Sequence, residues 1–104
     1  MQEFLYILHL VRKDMLRTGP TAAEQAVVGE HFAYLQDLTA KGVMILVGRT
    51  QTTDEHTMGL AIFRAESEEA ALQIMNTDPC VKKGVMNGNL VSFQSSVARH
   101  VKNS

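Results

Sequence analysis

The sequence predicts an α+β fold: a ferredoxin-like plait in which the elements follow the order βαββαβ and four strands form one antiparallel sheet. Four stretches rich in β-branched and aromatic residues are separated by two stretches with the apolar period of a helix. A chain of 104 residues suffices for one domain with a modest core. We expect this domain over residues 1–97, followed by a loose tail over residues 98–104.

Each element has its own signal in the sequence. Thr21 and Glu24 have the spacing of a capping box at a helix start, and Gly42 suits the left-handed stop of that helix. Ser67 can cap a second helix, which Asp78-Pro79 stops before one further turn. The connection over residues 12–20 is polar, and a hairpin loop follows the second strand at residues 51–57. The predicted strands cover residues 3–11, 43–50, 58–65 and 89–97, and the first helix covers residues 21–41.

Composition excludes several classes of function. Ten basic and eleven acidic side chains nearly cancel, and no basic stripe is present, which disfavours nucleic-acid binding. The apolar run over residues 4–8 is too short to span a bilayer, and no signal-peptide pattern follows it. Cys80 is the only cysteine, so the chain has no internal disulfide framework. A reducing cytoplasm is the expected setting.

The two predicted helices leave one face of the predicted sheet uncovered. Two helices cover one face of a four-stranded sheet, yet three of the strands are apolar on both sides. An uncovered apolar face of this size normally marks an interface. We therefore expect a homodimer that packs sheet to sheet through the open face and forms a dimeric α+β barrel.

Two residues are the candidate chemical centre. His31 lies inside the apolar stripe of the first helix, between Val28 and Leu35, and Asp78 precedes Pro79 after the second helix. A buried histidine paired with a carboxylate can exchange protons near neutral pH. His31 alone is also compatible with a core histidine bonded to a backbone carbonyl, and Asp78 with a helix N-cap. The sequence leaves these alternatives open.

Other polar residues rank below this pair. Arg49 ends the second strand, where a guanidinium can bind an anionic substrate, and Arg12 and Arg17 are either anion-binding or solvated. Gly48 either permits close approach of a ligand or marks a bulge. Tyr34 shares the stripe of His31 and is expected to line the same pocket. The four histidines, at positions 9, 31, 56 and 100, lack metal-ligand spacing, so no metal site is predicted.

The order of several short segments resembles the YciI-like (YCII-related) family over nearly the whole chain. The segments are residues 30–35, Gly42, residues 47–49, residues 68–70, Asp78-Pro79, Gly84 and the strand around Phe93. The resemblance implies a dimeric α+β barrel. It also implies that His31 and Asp78 occupy the positions of a histidine and an aspartate in the family's pocket. Some relatives act on hydroxylated or chlorinated aromatic breakdown products.

The resulting hypothesis is a small enzyme that uses His31 and Asp78 for acid–base chemistry without a cofactor. The reaction would be an isomerisation, elimination or dehydrochlorination of a small organic acid or phenolic compound, with Arg49, Tyr34 and Gly48 binding the substrate. The alternative is a non-catalytic dimeric module that binds a small ligand or has an accessory role. A haem-handling relative of the same barrel is a third, weaker option.

Overall fold

Four strands and four helices follow one another in the computed structural model, which describes residues 1–52 and 56–97. In chain order they are β1 (Gln2–Leu10), α1 (Met15–Thr18), α2 (Ala22–Ala40), β2 (Met44–Arg49), β3 (Gly59–Ala65), α3 (Glu68–Thr77), α4 (Pro79–Lys82) and β4 (Met86–Phe93). The predicted α+β ferredoxin-like plait is confirmed. The predicted tail over residues 98–104 and the hairpin residues 53–55 lie outside the described part of the chain.

The sheet has the strand order β2-β3-β1-β4, and all three pairings are antiparallel. Tyr6, near the middle of β1, lies opposite Ala61 on one side and Leu90 on the other. Because successive side chains of a strand point to opposite faces of the sheet, every second residue of β1 points into the layer between sheet and helices. Phe4, Tyr6 and Leu8 are accordingly buried.

The core lies between this face of the sheet and helices α2 and α3. Phe63 contacts the ring of Phe4 at a centroid distance of 6.0 Å and the ring of Tyr6 at 5.5 Å in an edge-to-face arrangement. Leu35 from α2 and Met75 from α3 close the layer from above. This packing fixes the positions of α2 and α3 above the sheet.

Helix α2 begins and ends as its sequence predicts. The Thr21 hydroxyl accepts a hydrogen bond from the Glu24 amide at 3.1 Å, and the Glu24 carboxylate accepts one from the Thr21 amide at 2.8 Å. This capping box satisfies backbone donors that have no partner inside the helix. Gly42 follows the helix with a φ of 79°, a conformation that favours glycine.

Two parts of the chain differ from the prediction. The connection over residues 12–20 contains the single-turn helix α1, which is too short to show a period in the sequence. Strand β4 covers residues 86–93, not 89–97. It begins earlier because Met86 pairs with Leu10, which outweighs the low strand propensity of the Asn87-Gly88 pair. It ends earlier because β1, its partner, begins at Gln2.

None of the helices in the described part of the chain lies over the second face of the sheet. One row of side chains crosses all four strands on this face, and the registers place it at Leu46, Ile62, Leu5 and Val91. Leu46 is 62 % exposed and Val91 is 42 % exposed. The described chain therefore presents an apolar band to its surroundings. None of the helices in residues 1–52 and 56–97 combines the length and apolarity needed to cross a membrane.

Candidate active site

His31 and Asp78 meet in the interior. His31 lies on the core side of α2, one turn before Leu35, and both residues are buried. Its Nδ1 lies 2.7 Å from Oδ1 and 2.9 Å from Oδ2 of Asp78, although 47 positions separate the two residues in sequence. The helical stripe and the Asp-Pro turn thus converge on one hydrogen-bonded pair.

The junction between α3 and α4 fixes the position of the Asp78 carboxylate. Asp78 ends α3 and is the N-cap of α4, with Pro79 at the first helical position. Its Oδ1 accepts a hydrogen bond from the Cys80 amide at 2.9 Å, as an N-cap side chain does. The capping role and the contact with His31 are therefore compatible, and both use the same carboxylate.

Tyr6 is a third member of this network that the sequence did not single out. Its hydroxyl donates to Oδ2 of Asp78 at 2.8 Å, and both side chains are fully buried. In the sequence Tyr6 is one apolar-strand residue among several, and only the packing of β1 beneath the α3–α4 junction distinguishes it. Burial, reinforced by the charge of Asp78, raises the pKa of Tyr6 far above its ordinary value. Tyr6 is thus a hydrogen-bond donor at any physiological pH.

The network defines the tautomer of His31. The two carboxylate oxygens of Asp78 receive the Tyr6 hydroxyl and the Cys80 amide, so Nδ1 of His31 is assigned as the third donor. In the neutral ring this leaves Nε2 as an acceptor with a free lone pair. Within the described residues, no buried side-chain nitrogen or oxygen lacks a partner, and the hydrogen bonds of His31 use Nδ1 alone. Nε2 therefore reaches the surface of the cavity that His31 lines.

That cavity, of about 750 Å³, opens between α2, β2 and the connection that carries α1. Its walls are predominantly apolar, with contributions from Leu8, Met15, Leu16, Phe32 and Val47. Phe32 is 54 % exposed, and its ring centroid lies 5.4 Å from that of His31. An apolar chamber with a few polar groups is the usual form of a small-molecule site.

Arg49 and Gly48 line the same cavity at the end of β2. Arg49 pairs with Gly59, which pairs in turn with Leu8, so Arg49 belongs to the helix-covered face of the sheet. A Cβ built on Gly48 would meet nothing within 4 Å, but it would point to the open face of the sheet, because Gly48 pairs with Leu60, opposite Ile7. Gly48 does not mark the bulge of β2, because the register shift lies between Met44 and Leu46.

Three other candidate residues do not line this cavity. The Tyr34 hydroxyl donates to the carbonyl of Ile74 at 2.7 Å, and Tyr34 is not in the cavity wall, because it faces α3. Arg12 is paired with Glu24 at 2.6 Å, so its guanidinium is already engaged by a carboxylate. Arg17 is exposed and paired with Asp14 of its own segment.

The remaining histidines lie elsewhere. His9 is opposite Asn87 on the open face of the sheet, and His56 is in the hairpin after β2. His100 is outside the described residues. None of the described histidines other than His31 lines the cavity.

The side chains of His31, Asp78 and Cys80 place possible metal ligands within 4.8 Å of one another. Burial, followed by the charge of Asp78, raises the pKa of the Cys80 thiol to about 12. A metal ion would have to displace the His31–Asp78 hydrogen bonds and ionise this thiol. The donor set is therefore better suited to the hydrogen-bonded network than to a metal centre.

The comparisons with known proteins agree with this architecture. A solved structure of similar fold is 5-chloro-2-hydroxyhydroquinone dehydrochlorinase from Burkholderia phenoliruptrix AC1100, in complex with 2,5-dihydroxybenzoquinone. The TM-score is 0.64 at 20 % sequence identity, covering 89 % of this chain and 95 % of that one. No curated protein sequence matches this chain. The family model of the YCII-related domain matches residues 5–92. The chain therefore belongs to the YCII-related domain family.

Proposed function

We propose that the protein is a small-molecule enzyme that needs no cofactor and uses His31 and Asp78 as an acid–base dyad. The observation that carries the proposal is the division of the His31 ring: Nδ1 is bonded to a buried carboxylate, and Nε2 faces an apolar cavity. Nε2 removes a proton from the substrate, and Asp78 orients the ring and stabilises the imidazolium that forms. The proton then returns to another atom of the substrate or leaves with the product.

The reaction class that fits best is an elimination such as dehydrochlorination. Nε2 takes a proton from one hydroxyl of the substrate and returns it to the chlorine-bearing ring carbon, which becomes tetrahedral in the resulting keto tautomer. It then takes a proton from a second hydroxyl, and the electron pair of that O–H bond moves through the ring as the C–Cl bond breaks, which gives a quinone. Chloride leaves with its electron pair, and His31 releases its proton to solvent, so hydrogen chloride is the net loss. Support comes from the structural neighbour, which is a dehydrochlorinase with a fold similar to this one.

The cavity indicates the class of substrate. Its apolar walls favour a flat ring, which the exposed face of Phe32 can contact, and Arg49 offers a guanidinium to a carboxylate or phenolate. Gly48 lines the same cavity next to Arg49. A phenolic compound or small aromatic acid carrying a leaving group satisfies these requirements.

Chloride release from chlorinated hydroxyhydroquinones and related chlorophenols tests the proposal. We expect turnover by the wild type and a loss of at least about a hundredfold in His31→Gln, since general acid–base catalysis contributes about that much or more. Binding of 2,5-dihydroxybenzoquinone, measured in both proteins by calorimetry, is the control. Binding without turnover in the wild type would instead support the ligand-binding module.

We also propose a homodimer closed through the open sheet face, in the cytoplasm. The apolar row that includes Leu46 and Ile62 supports the dimer, and the buried free thiol of Cys80 is compatible with a reducing compartment. In sedimentation we expect twice the mass of one chain, and a single-chain mass for Ile62→Lys. Leu72→Lys, on the exposed side of α3, is the control. A wild type that stays monomeric at every concentration would refute the dimer.

A further inference from the structure

The connection over residues 12–20 supplies one wall of the cavity. Met15 and Leu16 of α1 line it, as do Gly19 and Pro20 immediately after the helix. Met15, Leu16 and Gly19 are only partly buried. They thus touch the space where a ligand would lie without belonging to the core of the sheet and long helices.

This wall is weakly attached to the fold. Among the described residues, the backbone hydrogen bonds of residues 12–19 join only members of that segment, as when the Gly19 amide donates to the carbonyl of Met15 at 2.9 Å. Helix α1 is a single turn with no buried residue. Such a turn has little stability of its own. Its position must be set by side chains.

One side chain makes the polar connection to the long helix α2. Nε of Arg12 donates to Oε2 of Glu24 at 2.9 Å, and Nη2 donates to Oε1 at 2.6 Å. The same Nη2 donates to the Gly19 carbonyl at 2.9 Å, and Nη1 to the Thr18 hydroxyl at 3.3 Å. Arg12 therefore joins both ends of the connection to the first turn of α2. We call this set of contacts the Arg12 clasp.

We infer that Met15 and Leu16 determine the size of the ring system that the cavity accepts, and that the Arg12 clasp positions them. The inference rests on the proposed function, because it assumes that this cavity is the substrate site. The ligands of this cavity are aromatic anions, and the cavity selects them by how well the ring fits against Met15 and Leu16. Met15 is flexible and can adapt to different shapes, whereas Leu16 sets a firmer limit.

The test measures size selection with two probes, benzoate and 1-naphthoate, in the full-length protein. The quantity is the ratio of their dissociation constants. Leu16→Ala should shift this ratio about tenfold in favour of 1-naphthoate, since a few methylene groups in an apolar pocket discriminate by that order. Met15→Ala is the second variant and should shift the ratio in the same direction.

The clasp has its own variants. Glu24→Gln preserves the capping box, because glutamine also serves there, but removes the charge that holds Arg12. It should shift the ratio toward 1-naphthoate and raise the dissociation rate of both probes. Arg12→Gln should do the same, and the double variant should differ little from either single one. The control is Arg17→Gln, which breaks an ion pair inside the same segment and should leave the ratio unchanged.

An unchanged ratio in both Leu16→Ala and Met15→Ala would overturn the inference, as would wild-type protein that binds neither probe. An Arg17→Gln variant that behaves like Glu24→Gln would overturn the role of the clasp. Because binding is measured without turnover, failure of the proposed reaction is detected separately, by the chloride assay on wild type and His31→Gln.

Discussion

The hydroxyl of Tyr6 donates a hydrogen bond of 2.8 Å to Oδ2 of Asp78. Strand β1 is thereby bonded to the residue that lies between α3 and α4. The contact spans 72 positions of sequence. It makes the sheet part of the site, because any displacement of β1 against the helices would move the partner of His31.

Tyr6→Phe removes this donor with almost no change in volume. The buried carboxylate loses one of its hydrogen bonds, and we expect the free energy of unfolding to fall by about 1.5–3 kcal/mol, the range for bonds to charged groups. Urea denaturation measures this change. Tyr34→Phe is the matched control, since its hydroxyl donates to the neutral carbonyl of Ile74 and should cost nearer 1 kcal/mol. Equal losses in the two variants would contradict the special role of the charged acceptor.

The tautomer of His31 is directly observable. Nitrogen-15 NMR of the ring should show the proton on Nδ1 and an unprotonated Nε2 in the neutral form, because the Asp78 carboxylate accepts from Nδ1. A proton on Nε2 would contradict the assignment and remove the base from the cavity. His9, which lies on the open sheet face opposite Asn87, provides the reference signal.

Cys80 should make the protein less stable in alkali. Its pKa of about 12 in the folded chain exceeds the value near 8.5 of an ordinary thiol, so the folded state retains a proton that the unfolded state releases. The stabilisation that the protonated Cys80 thiol contributes is therefore fully present below about pH 8.5. As the pH rises toward 12, the free energy of unfolding falls by about 1.4 kcal/mol per pH unit. Unfolding free energies between pH 8 and 10 test this.

Cys80→Ala is the control for the alkaline experiment and should flatten the dependence in that range. The folded wild type should also resist thiol reagents at pH 8 until urea opens it, because the sulfur is buried. Rapid modification of the native protein, with no lag for unfolding, would be incompatible with this environment.

Two glycines should respond to alanine in opposite directions. Gly29 is exposed within α2, and an added Cβ there meets nothing within 4 Å. Gly29→Ala should stabilise the protein by about 0.8 kcal/mol through helix propensity. At Gly88 the added Cβ would lie 2.9 Å from the sulfur of Met75 and 3.3 Å from a methyl group of Val81. Gly88→Ala should destabilise the protein by about 1–3 kcal/mol.

Thermal or urea unfolding of both glycine variants measures these changes. Stabilisation by Gly88→Ala would show that Met75 and Val81 relax freely and that β4 does not approach the helices as closely as the structure indicates.

The sequence predicts local features of the site better than distant ones. His31 is recognisable because a polar residue interrupts an apolar helical stripe, and Asp78 because Asp-Pro is a helix-start signal; both patterns lie within a few neighbouring residues. Tyr6 could not be identified, because its partner depends on how β1 lies beneath a turn near the other end of the chain. The pairing of Arg12 with Glu24 likewise needs the path of residues 12–20, which includes a turn too short to have a period.

Position 78 also constrains how this site can be redesigned. Oδ1 of Asp78 accepts from both the Cys80 amide and the His31 ring, so one atom starts a helix and orients the imidazole. A substitution that removes this acceptor oxygen disturbs the backbone turn together with the His31 ring, whereas asparagine can keep the cap and remove only the charge. An engineer who wants a new substrate should therefore keep this atom and vary the cavity wall.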